Sequence, residues 1–125
     1  LTRRVIQQKA QGDLGEDLER KRLLLNPDFE LLGEQVRIRT PNAGSYRVTD
    51  FLVRGRQTGQ VRIIEVKTGG ATRDAAQLLR DVGIADPNVA TTYFGRRARA
   101  AGFPTGSPTG PIRTFEVNAS NLRDP

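Results

Sequence analysis

The pattern of hydrophobic and polar positions along the chain predicts a mixed α/β domain that begins with a helix. Residues 2–25 carry apolar side chains among charges at helical spacing, and the Asn-Pro pair at 26–27 is a stop for that helix. Gly12 and Gly15 weaken its middle. We therefore expect the helix to divide into a short leading turn and a main helix that begins near Asp13.

Three strands are expected next, because each segment alternates in polarity or is rich in β-branched and aromatic residues. They cover residues 35–40, 46–53 and 61–67. A turn over residues 41–44 separates the first two strands, and a loop over residues 55–60 separates the second from the third. The three strands therefore form a meander.

The second half of the chain predicts another helix and two more strands. Thr72 is the expected N-cap of this helix and Gly83 its end. Residues 89–94 should form a buried strand, residues 102–111 an irregular loop rich in Gly and Pro, and residues 112–117 a last strand. The helix residues expected to face the core are Ala75, Leu78, Leu79 and Val82.

The hairpin over residues 47–67 brings ionisable side chains together. If its strands pair as antiparallel neighbours, Asp50 lies opposite Glu65, and period-two alternation places Lys67 on the face of Glu65. Facing carboxylates, with Cβ atoms about 5 Å apart, repel each other, and a divalent cation between them offsets that cost. Mg²⁺ or Mn²⁺ suits these oxygens together with the backbone carbonyl of Val66.

Two ordinary explanations compete with a metal site. Asp50 could be a strand-end residue with a local hydrogen bond, and Glu65 with Lys67 could be a solvated ion pair. Both lose weight because Glu65 directly follows an apolar run and Asp50 is in register with it. In the catalytic interpretation, the metal activates a phosphodiester and a bound water, while Lys67 orients that water or stabilises the developing charge.

The composition excludes several other chemistries. The chain has no His and no Cys, which excludes zinc fingers, thiol nucleophiles and His-dependent catalysis. No apolar stretch approaches the roughly 20 residues that span a bilayer. We expect one domain over residues 1–125, with 1–12 and 118–125 peripheral, and the lack of Met favours a module cut from a longer protein.

The hairpin motif resembles that of the PD-(D/E)xK nuclease superfamily. Asp50, fourteen intervening residues and then Glu65-Val66-Lys67 stand between an acidic helix and an amphipathic one. The resemblance covers residues 13–94 and implies a restriction-endonuclease-like αβββαβ core, with the last predicted strand as an extra C-terminal strand. Thr49 stands where the motif's name has Pro.

The resemblance also implies roles for individual residues. Asp50 and Glu65 would bind the metal, Mg²⁺ or Mn²⁺ with Zn²⁺ as an alternative, and Lys67 would assist the attacking water. A Glu on the first helix often joins such a site, and Glu16 is the matching candidate, ahead of Glu19. The ordinary role of Glu16 is a capping box with Asp13. A Gln on the following helix can approach the site, which here is Gln77, otherwise a solvated surface residue.

A small PD-(D/E)xK module cut from a longer chain resembles the C-terminal toxin domains of bacterial contact-dependent inhibition and other polymorphic toxin systems. That likeness implies a DNase delivered into the cytoplasm of a target cell and neutralised by a cognate immunity protein. A tRNase or other RNase of the same fold is the first alternative. Junction resolvases and restriction enzymes share the core, and a catalytically inactive basic module that binds nucleic acid is a further alternative.

The charge of the chain suits a nucleic-acid partner without choosing between DNA and RNA. The net charge is +6, and 17 of the 20 basic residues are Arg, although genomic base composition can give the same bias. Stacking of bases on Tyr46, Tyr93 or Phe103 would favour single-stranded or RNA substrates, with core packing as the other role of Tyr93. The residues expected to form a phosphate-binding rim are Arg37, Arg39, Arg54, Arg56, Arg96, Arg97 and Arg99.

Overall fold

A computed structural model describes the backbone over residues 3–41, 46–68 and 73–119, and side chains from residue 12 onward. Within these residues the chain is a mixed α/β protein. No helix in this part of the chain combines the length and apolar character needed to cross a bilayer. The elements are α1 Arg3–Leu25, β1 Phe29–Glu34, β2 Arg37–Arg39, β3 Tyr46–Val48, β4 Phe51–Gly55, β5 Val61–Lys67, α2 Ala75–Ala85, β6 Thr92–Phe94, α3 Arg96–Ala100 and β7 Arg113–Asn118.

The first four strands form one long hairpin that bends in its middle. β1 pairs with β4, and β2 pairs with β3, both antiparallel. Gln35 has a left-handed φ of 54° at the bend, and its N–H donates to the carbonyl of Asp50 at 3.2 Å. The bend divides the strand predicted over residues 46–53 into two strands. It also directs the two halves of the hairpin into two different sheets.

The larger sheet has the strand order β1-β4-β5-β7, and the smaller sheet has the order β3-β2-β6. β7 runs parallel to β5, which makes the larger sheet mixed. The strand over residues 89–94 was expected in the core sheet and the strand over 112–117 as an extra strand, and the structure has the reverse. The strand predicted over residues 89–94 joins the smaller sheet as β6, and the strand predicted over 112–117 is the fourth strand of the larger sheet.

The predicted register of the central hairpin is confirmed. Leu52 pairs with Ile63 and Phe51 with Ile64, which places Asp50 one residue beyond the last pair of the ladder. Leu52 and Ile63 are buried in one hydrophobic cluster, whereas Phe51 and Ile64 are buried in another. The larger sheet is therefore covered on both faces.

Helices supply the cover on the two faces. Leu23 of α1 packs with Phe51 in one cluster, and Ile84 of α2 packs with Ile63 in the other. The irregular loop over residues 102–111 lies along β6, where the N–H of Tyr93 donates to the carbonyl of Ser107 at 3.0 Å. That loop closes the side of the cluster that contains Tyr93.

Several sequence predictions about local structure are wrong. α1 is continuous through both glycines, so Asp13 lies inside the helix and forms no N-cap. β1 escaped prediction because a bulge between Leu31 and Gly33 interrupts its alternation. The basic cluster that follows β6 forms the short helix α3 around the buried Ala98.

The second helix also begins and ends later than predicted. Its N-cap is Asp74, whose side chain accepts the N–H of Gln77 at 2.8 Å, and the helix continues past Gly83 to a C-cap at Asp86. Thr72, the predicted cap, and most of the predicted turn over 41–44 lie outside the described residues. Asp74 and Gln77 form a reciprocal capping box, which fixes the start of the helix.

The predicted apolar stripe of α2 does not face the core. Leu78, Leu79 and Val82 are 43%, 64% and 67% exposed, while the buried residues of this helix are Asp81 and Ile84. The helix is therefore rotated from the orientation that its hydrophobic pattern predicts, and a charged residue takes the buried position.

Gly15 permits α1 to lie close to the ends of β5 and β7. A Cβ built on Gly15 would be 2.8 Å from the Cβ of Ala119 and 2.9 Å from Cγ2 of Thr68. No described atom lies within 4 Å of a Cβ built on Gly12, on the same helix. The two glycines therefore differ in packing although they share a helix.

Replacing each glycine by alanine tests this difference. Gly15→Ala should lower the free energy of unfolding by about 1–2 kcal/mol, because the overpacking outweighs the gain in helix propensity. Gly12→Ala should raise it by about 0.5–1 kcal/mol. Urea unfolding at a fixed pH measures both, and equal effects at the two positions would contradict the close approach of α1 to the sheet.

Candidate catalytic site

Asp50 is fixed at the bend of the hairpin by a bond to the neighbouring strand. It lies just beyond the ladder of β4 and β5, and its Oδ2 accepts the N–H of Val66 at 2.7 Å. The local hydrogen bond of the ordinary explanation is therefore present. The bond also holds the Asp50 carboxylate against β5 at Val66, which stands between Glu65 and Lys67 in the sequence.

Glu65 is buried in the centre of the charged group. It is 3% exposed, its Oε2 accepts Nη2 of Arg47 at 2.7 Å, and its Oε1 lies 3.3 Å from Nζ of Lys67. The alternative of a solvated pair between Glu65 and Lys67 is wrong, because the Glu65 carboxylate is inside the protein. Only the Lys67 ammonium is partly open to water, its side chain being 19% exposed.

Gln77 reaches this group from α2. Nζ of Lys67 donates to Oε1 of Gln77 at 3.4 Å, and the same oxygen accepts the N–H of Asp74 at 3.1 Å. The capping box thus orients the Gln77 amide toward Lys67. Gln77 is half-buried at the start of the helix, which is not the placement of a solvated surface residue.

Sequence reasoning missed a chain of charges that continues from Glu65. Nε of Arg47 donates to Oδ1 of Asp81 at 3.0 Å, and Nη1 of Arg73 donates to Oδ2 of Asp81 at 2.9 Å. Arg73 in turn lies 3.6 Å from Glu116 on β7. Asp81 lies outside the apolar stripe predicted for this helix, so the sequence pattern gave no indication that it is buried. Its partner Arg47 is 34 residues away, so no local pattern could identify the pair.

The surroundings of Asp50 disfavour the ionised form of its carboxyl group. Burial and then the charge of Glu65 raise the pKa of Asp50 to about 7, and the charge of Glu16 adds to the effect. The hydrogen bond from Val66 and the charge of Arg47 act in the opposite direction. Arg47 and Lys67 therefore compensate Glu65 more fully than they compensate Asp50.

Glu16 lies near this group on α1 without joining it. Burial raises the pKa of Glu16, followed by the charges of Asp13, Glu34 and Glu65, while Arg20 opposes the shift. Across the part of the chain that the structure describes, no three acidic side chains come together in a group that could hold a metal ion.

Glu19, the other candidate on this helix, is buried and engaged elsewhere. Both of its carboxylate oxygens accept from the guanidinium of Arg22, one of them at 2.9 Å from Nε. The acidic group that remains is the pair of Asp50 and Glu65, with Glu16 within electrostatic range.

The donors in this group fit a hard divalent cation. Carboxylate and carbonyl oxygens are the ligands that Mg²⁺ and Mn²⁺ prefer, and a cation beside Asp50 would stabilise the ionised form that its surroundings disfavour. Asp50 is held through Oδ2 by the N–H of Val66, and Glu65 is held through Oε2 by Arg47, with Nζ of Lys67 3.3 Å from its Oε1. The arrangement can bind a cation and present an ammonium to the same place.

The seven arginines expected in one rim lie in separate places. Arg37 and Arg39 are on β2, and α3 carries three more. Arg54 lies 3.9 Å from Glu30 at the other end of the larger sheet, where Arg56 follows it into the turn.

Tyr93 is buried and stacks on Phe103, with ring centroids 4.1 Å apart, so both rings belong to the core.

Comparison of the chain with protein-family models, with curated proteins and with solved structures finds no match. The function is therefore inferred from the chemistry of the side chains described above. The contacts that distinguish this site are the buried carboxylate pair, the ammonium of Lys67 and the arginine behind Glu65.

The buried charges around Asp81 should be needed for stability. Asp81→Ala should lower the free energy of unfolding by about 3–5 kcal/mol, because it leaves Arg47 and Arg73 without their shared partner. The matched control is Asp17→Ala on α1, which also has two cationic partners, Arg20 and Lys21, but is 47% exposed. That change should cost less than about 1 kcal/mol. Similar losses in chemical denaturation would contradict the buried network.

The raised pKa of Asp50 predicts a pH-dependent gain from Asp50→Asn. The folded pKa of about 7 is above the ordinary aspartate value of 3.8, so the contribution of this carboxyl to stability is complete below about pH 4 and is lost as the pH rises toward 7. The amide keeps an acceptor for Val66 and cannot ionise. The stability advantage of Asp50→Asn should therefore grow by about 2–3 kcal/mol between about pH 4.5 and about pH 8.5.

Urea unfolding of the variant and the parent chain at the two pH values measures this growth. The exposed Asp28, changed to Asn, is the control for a carboxylate in water. An Asp50→Asn advantage that is the same at both pH values would show that Glu65 and burial do not disfavour the Asp50 charge.

Proposed function

We propose that this chain is a metal-dependent nuclease that hydrolyses phosphodiester bonds in nucleic acid. The observation that carries the proposal is the convergence of Asp50, Glu65 and Lys67 at one end of β5, where the surroundings disfavour the ionised form of Asp50. Buried acids that repel each other are costly, and binding a cation is a function that accounts for them.

The order of elements supports the same proposal. α1, β1, β4, β5, α2 and β7 follow one another as helix, three antiparallel strands, helix and a strand parallel to the third. That is the αβββαβ order of the PD-(D/E)xK superfamily, to which the motif of Asp50, Glu65 and Lys67 is similar. In this assignment β2, β3, β6 and α3 are additions to the core.

The residues that would hold the metal are Asp50, Glu65 and the backbone carbonyl of Val66, while Glu16 would act on the ion through its charge from α1. A bound Mg²⁺ or Mn²⁺, or alternatively Zn²⁺, supplies a Lewis acid for the phosphodiester and lowers the pKa of a coordinated water. The protein's part is to keep both carboxylates in place: Arg47 holds Glu65, and the N–H of Val66 holds Asp50. Both carboxylates are therefore oriented by the protein before a cation binds.

Lys67 is proposed to act on the attacking water or on the charge that develops at phosphorus. Its ammonium is oriented by Glu65 at 3.3 Å and by Gln77 at 3.4 Å, and it is partly exposed. An ammonium fixed in this way costs little reorganisation when negative charge develops beside it. Gln77 accordingly positions Lys67 and is not proposed to touch the substrate.

In its biological setting we propose a DNase toxin domain of interbacterial competition. It would be delivered as part of a larger bacterial protein, act in the cytoplasm of the target cell and be neutralised by a cognate immunity protein. An RNase or tRNase toxin of the same fold is the alternative. A basic module that binds without cleaving is less well supported, because facing acids at Asp50 and Glu65 repel phosphate and serve no purpose in binding alone.

Cleavage of plasmid DNA and of total tRNA, assayed side by side with Mg²⁺, Mn²⁺ or Zn²⁺, tests the proposal. The unaltered chain should cut one of them, and EDTA should stop the reaction. Glu65→Gln should lower the rate by at least about 10²-fold, because it removes an anionic ligand and the partner of Lys67. Glu30→Gln, an exposed glutamate on β1, is the control and should cut at the original rate.

Circular dichroism melts show whether each variant is folded under the assay conditions. Cleavage by folded Glu65→Gln at the original rate would refute the assigned site. If the unaltered chain cuts neither substrate with any of the three metals, the proposal of a nuclease is wrong and the binding module becomes the better account.

A further inference from the structure

The outer face of the smaller sheet combines exposed arginines with aromatic rings. Ile38 of β2 is buried in the core. Because side chains alternate along a strand, Arg37 and Arg39 on either side of it point away from the core. The neighbouring strands add an aromatic residue each, Tyr46 from β3 and Phe94 from β6. We call these four side chains the small-sheet face: Arg37, Arg39, Tyr46 and Phe94.

The four side chains are arranged in alternation. The guanidinium of Arg37 lies 5.1 Å from the ring centroid of Tyr46, and that of Arg39 lies 4.6 Å from the centroid of Phe94. The rings of Tyr46 and Phe94 contact each other edge to face, with centroids 5.2 Å apart. Cation–π contacts of this kind hold both arginines extended along the surface, with N–H groups available to a ligand.

The small-sheet face continues into a groove between β2 and the start of α3. A cavity of about 430 Å³ is lined by Arg37, Val48 and Gln35 on one side and by residues 94–97 on the other, which adds Arg96 and Arg97. The N–H of Gln35 donates to the carbonyl of Asp50 at 3.2 Å. One end of the groove is therefore in contact with the backbone of the residue that holds the proposed metal.

The charge of this surface complements that of the catalytic site. Arg37, Arg39, Arg96 and Arg97 are exposed, and no carboxylate among the described residues forms a salt bridge with any of them. The catalytic carboxylates repel a phosphodiester until a cation is bound. The four arginines provide the attraction that brings a polyanion to the protein.

The aromatic part of the face indicates which form of nucleic acid it contacts. Tyr46 is 41% exposed, and three strands of three residues offer an area about 10 Å across. A paired duplex keeps the faces of its bases within its own stack, so only unpaired bases can stack on such a surface. The area accommodates one or two bases.

We propose that the small-sheet face binds unpaired nucleotides of the substrate, stacking bases on Tyr46 and contacting phosphates through Arg37 and Arg39. The ligand class is single-stranded nucleic acid, either DNA or the loops of RNA. This inference rests on the proposed function, because it names the substrate class of the proposed nuclease. It also assigns a role to β2, β3 and β6, which lie outside the proposed nuclease core.

Fluorescence anisotropy with labelled oligonucleotides of about 12 nucleotides tests the inference, using single-stranded DNA, single-stranded RNA and a duplex of equal length. EDTA is present throughout, so that binding is measured without hydrolysis. Single strands should bind at least about 5-fold more tightly than the duplex. Tyr46→Leu should weaken binding of single strands by about 5- to 20-fold and leave duplex binding unchanged.

The arginines are tested by the dependence of binding on salt. Arg39→Gln should reduce the slope of log K against log salt for single strands by about 0.7, the value for one lost phosphate contact. Arg113→Gln is the matched control, because Arg113 is also exposed but lies beside Arg62, toward the other end of β5 from Glu65. That variant should keep the original slope.

The outcomes separate this inference from the proposed function. Tighter binding of duplex than of single strands, or a folded Tyr46→Leu variant that binds single strands like the parent chain, would overturn it, as would the absence of binding to all three probes. Preference for the RNA or for the DNA strand identifies the source of the unpaired nucleotides. A chain that binds single strands through Tyr46 but cleaves nothing would keep this inference and refute the nuclease.

Discussion

The buried ion pair between Arg47 and Glu65 is the contact on which the arrangement of the site depends. Arg47 is on the smaller sheet, Glu65 is on the larger sheet, and Asp81 of α2 occupies the other side of the guanidinium. Burying such charges costs several kcal/mol per ion, and the cost is offset only when every partner is in place. The two sheets and α2 are therefore held in one relative position by the requirement that no charge remains unpaired.

The same pair creates an asymmetry between the two carboxylates. Glu65 has the cationic groups of Arg47 and Lys67 beside it. Asp50 accepts a backbone N–H, and its pKa is raised to about 7. Neighbouring acids whose environments differ in this way are common where one group must stay ionised and the other must respond to a ligand. A bound cation would act mainly by compensating Asp50, because Glu65 is compensated by the protein.

The sequence predicted those features that depend on neighbouring residues. The turn between β4 and β5 sets the register that brings Asp50 to Glu65, and alternation along β5 places Lys67 beside them. Glu16 and Gln77 were named only through the resemblance to a nuclease superfamily. Their positions near the site depend on how α1 and α2 pack on the sheet, which no local pattern determines.

Features that depend on distant contacts were missed. The choice between β6 and β7 as the fourth strand of the larger sheet is decided by pairing across more than forty residues of chain, so the two roles were exchanged. The rotation of α2 follows from Asp81, whose partner Arg47 is 34 residues away. Hydrophobic periodicity predicted the opposite face because it assigns no energy to a buried ion pair.

That rotation has a consequence for how the attachment of α2 responds to temperature. The side of the helix toward the sheet is held largely by Asp81 and its two arginines, while three of its apolar residues remain in water. Apolar contacts weaken on cooling, whereas the desolvation penalty of buried ions decreases on warming. Relative to a helix packed through its apolar stripe, α2 and the Gln77 that it carries should remain attached better as the protein is heated.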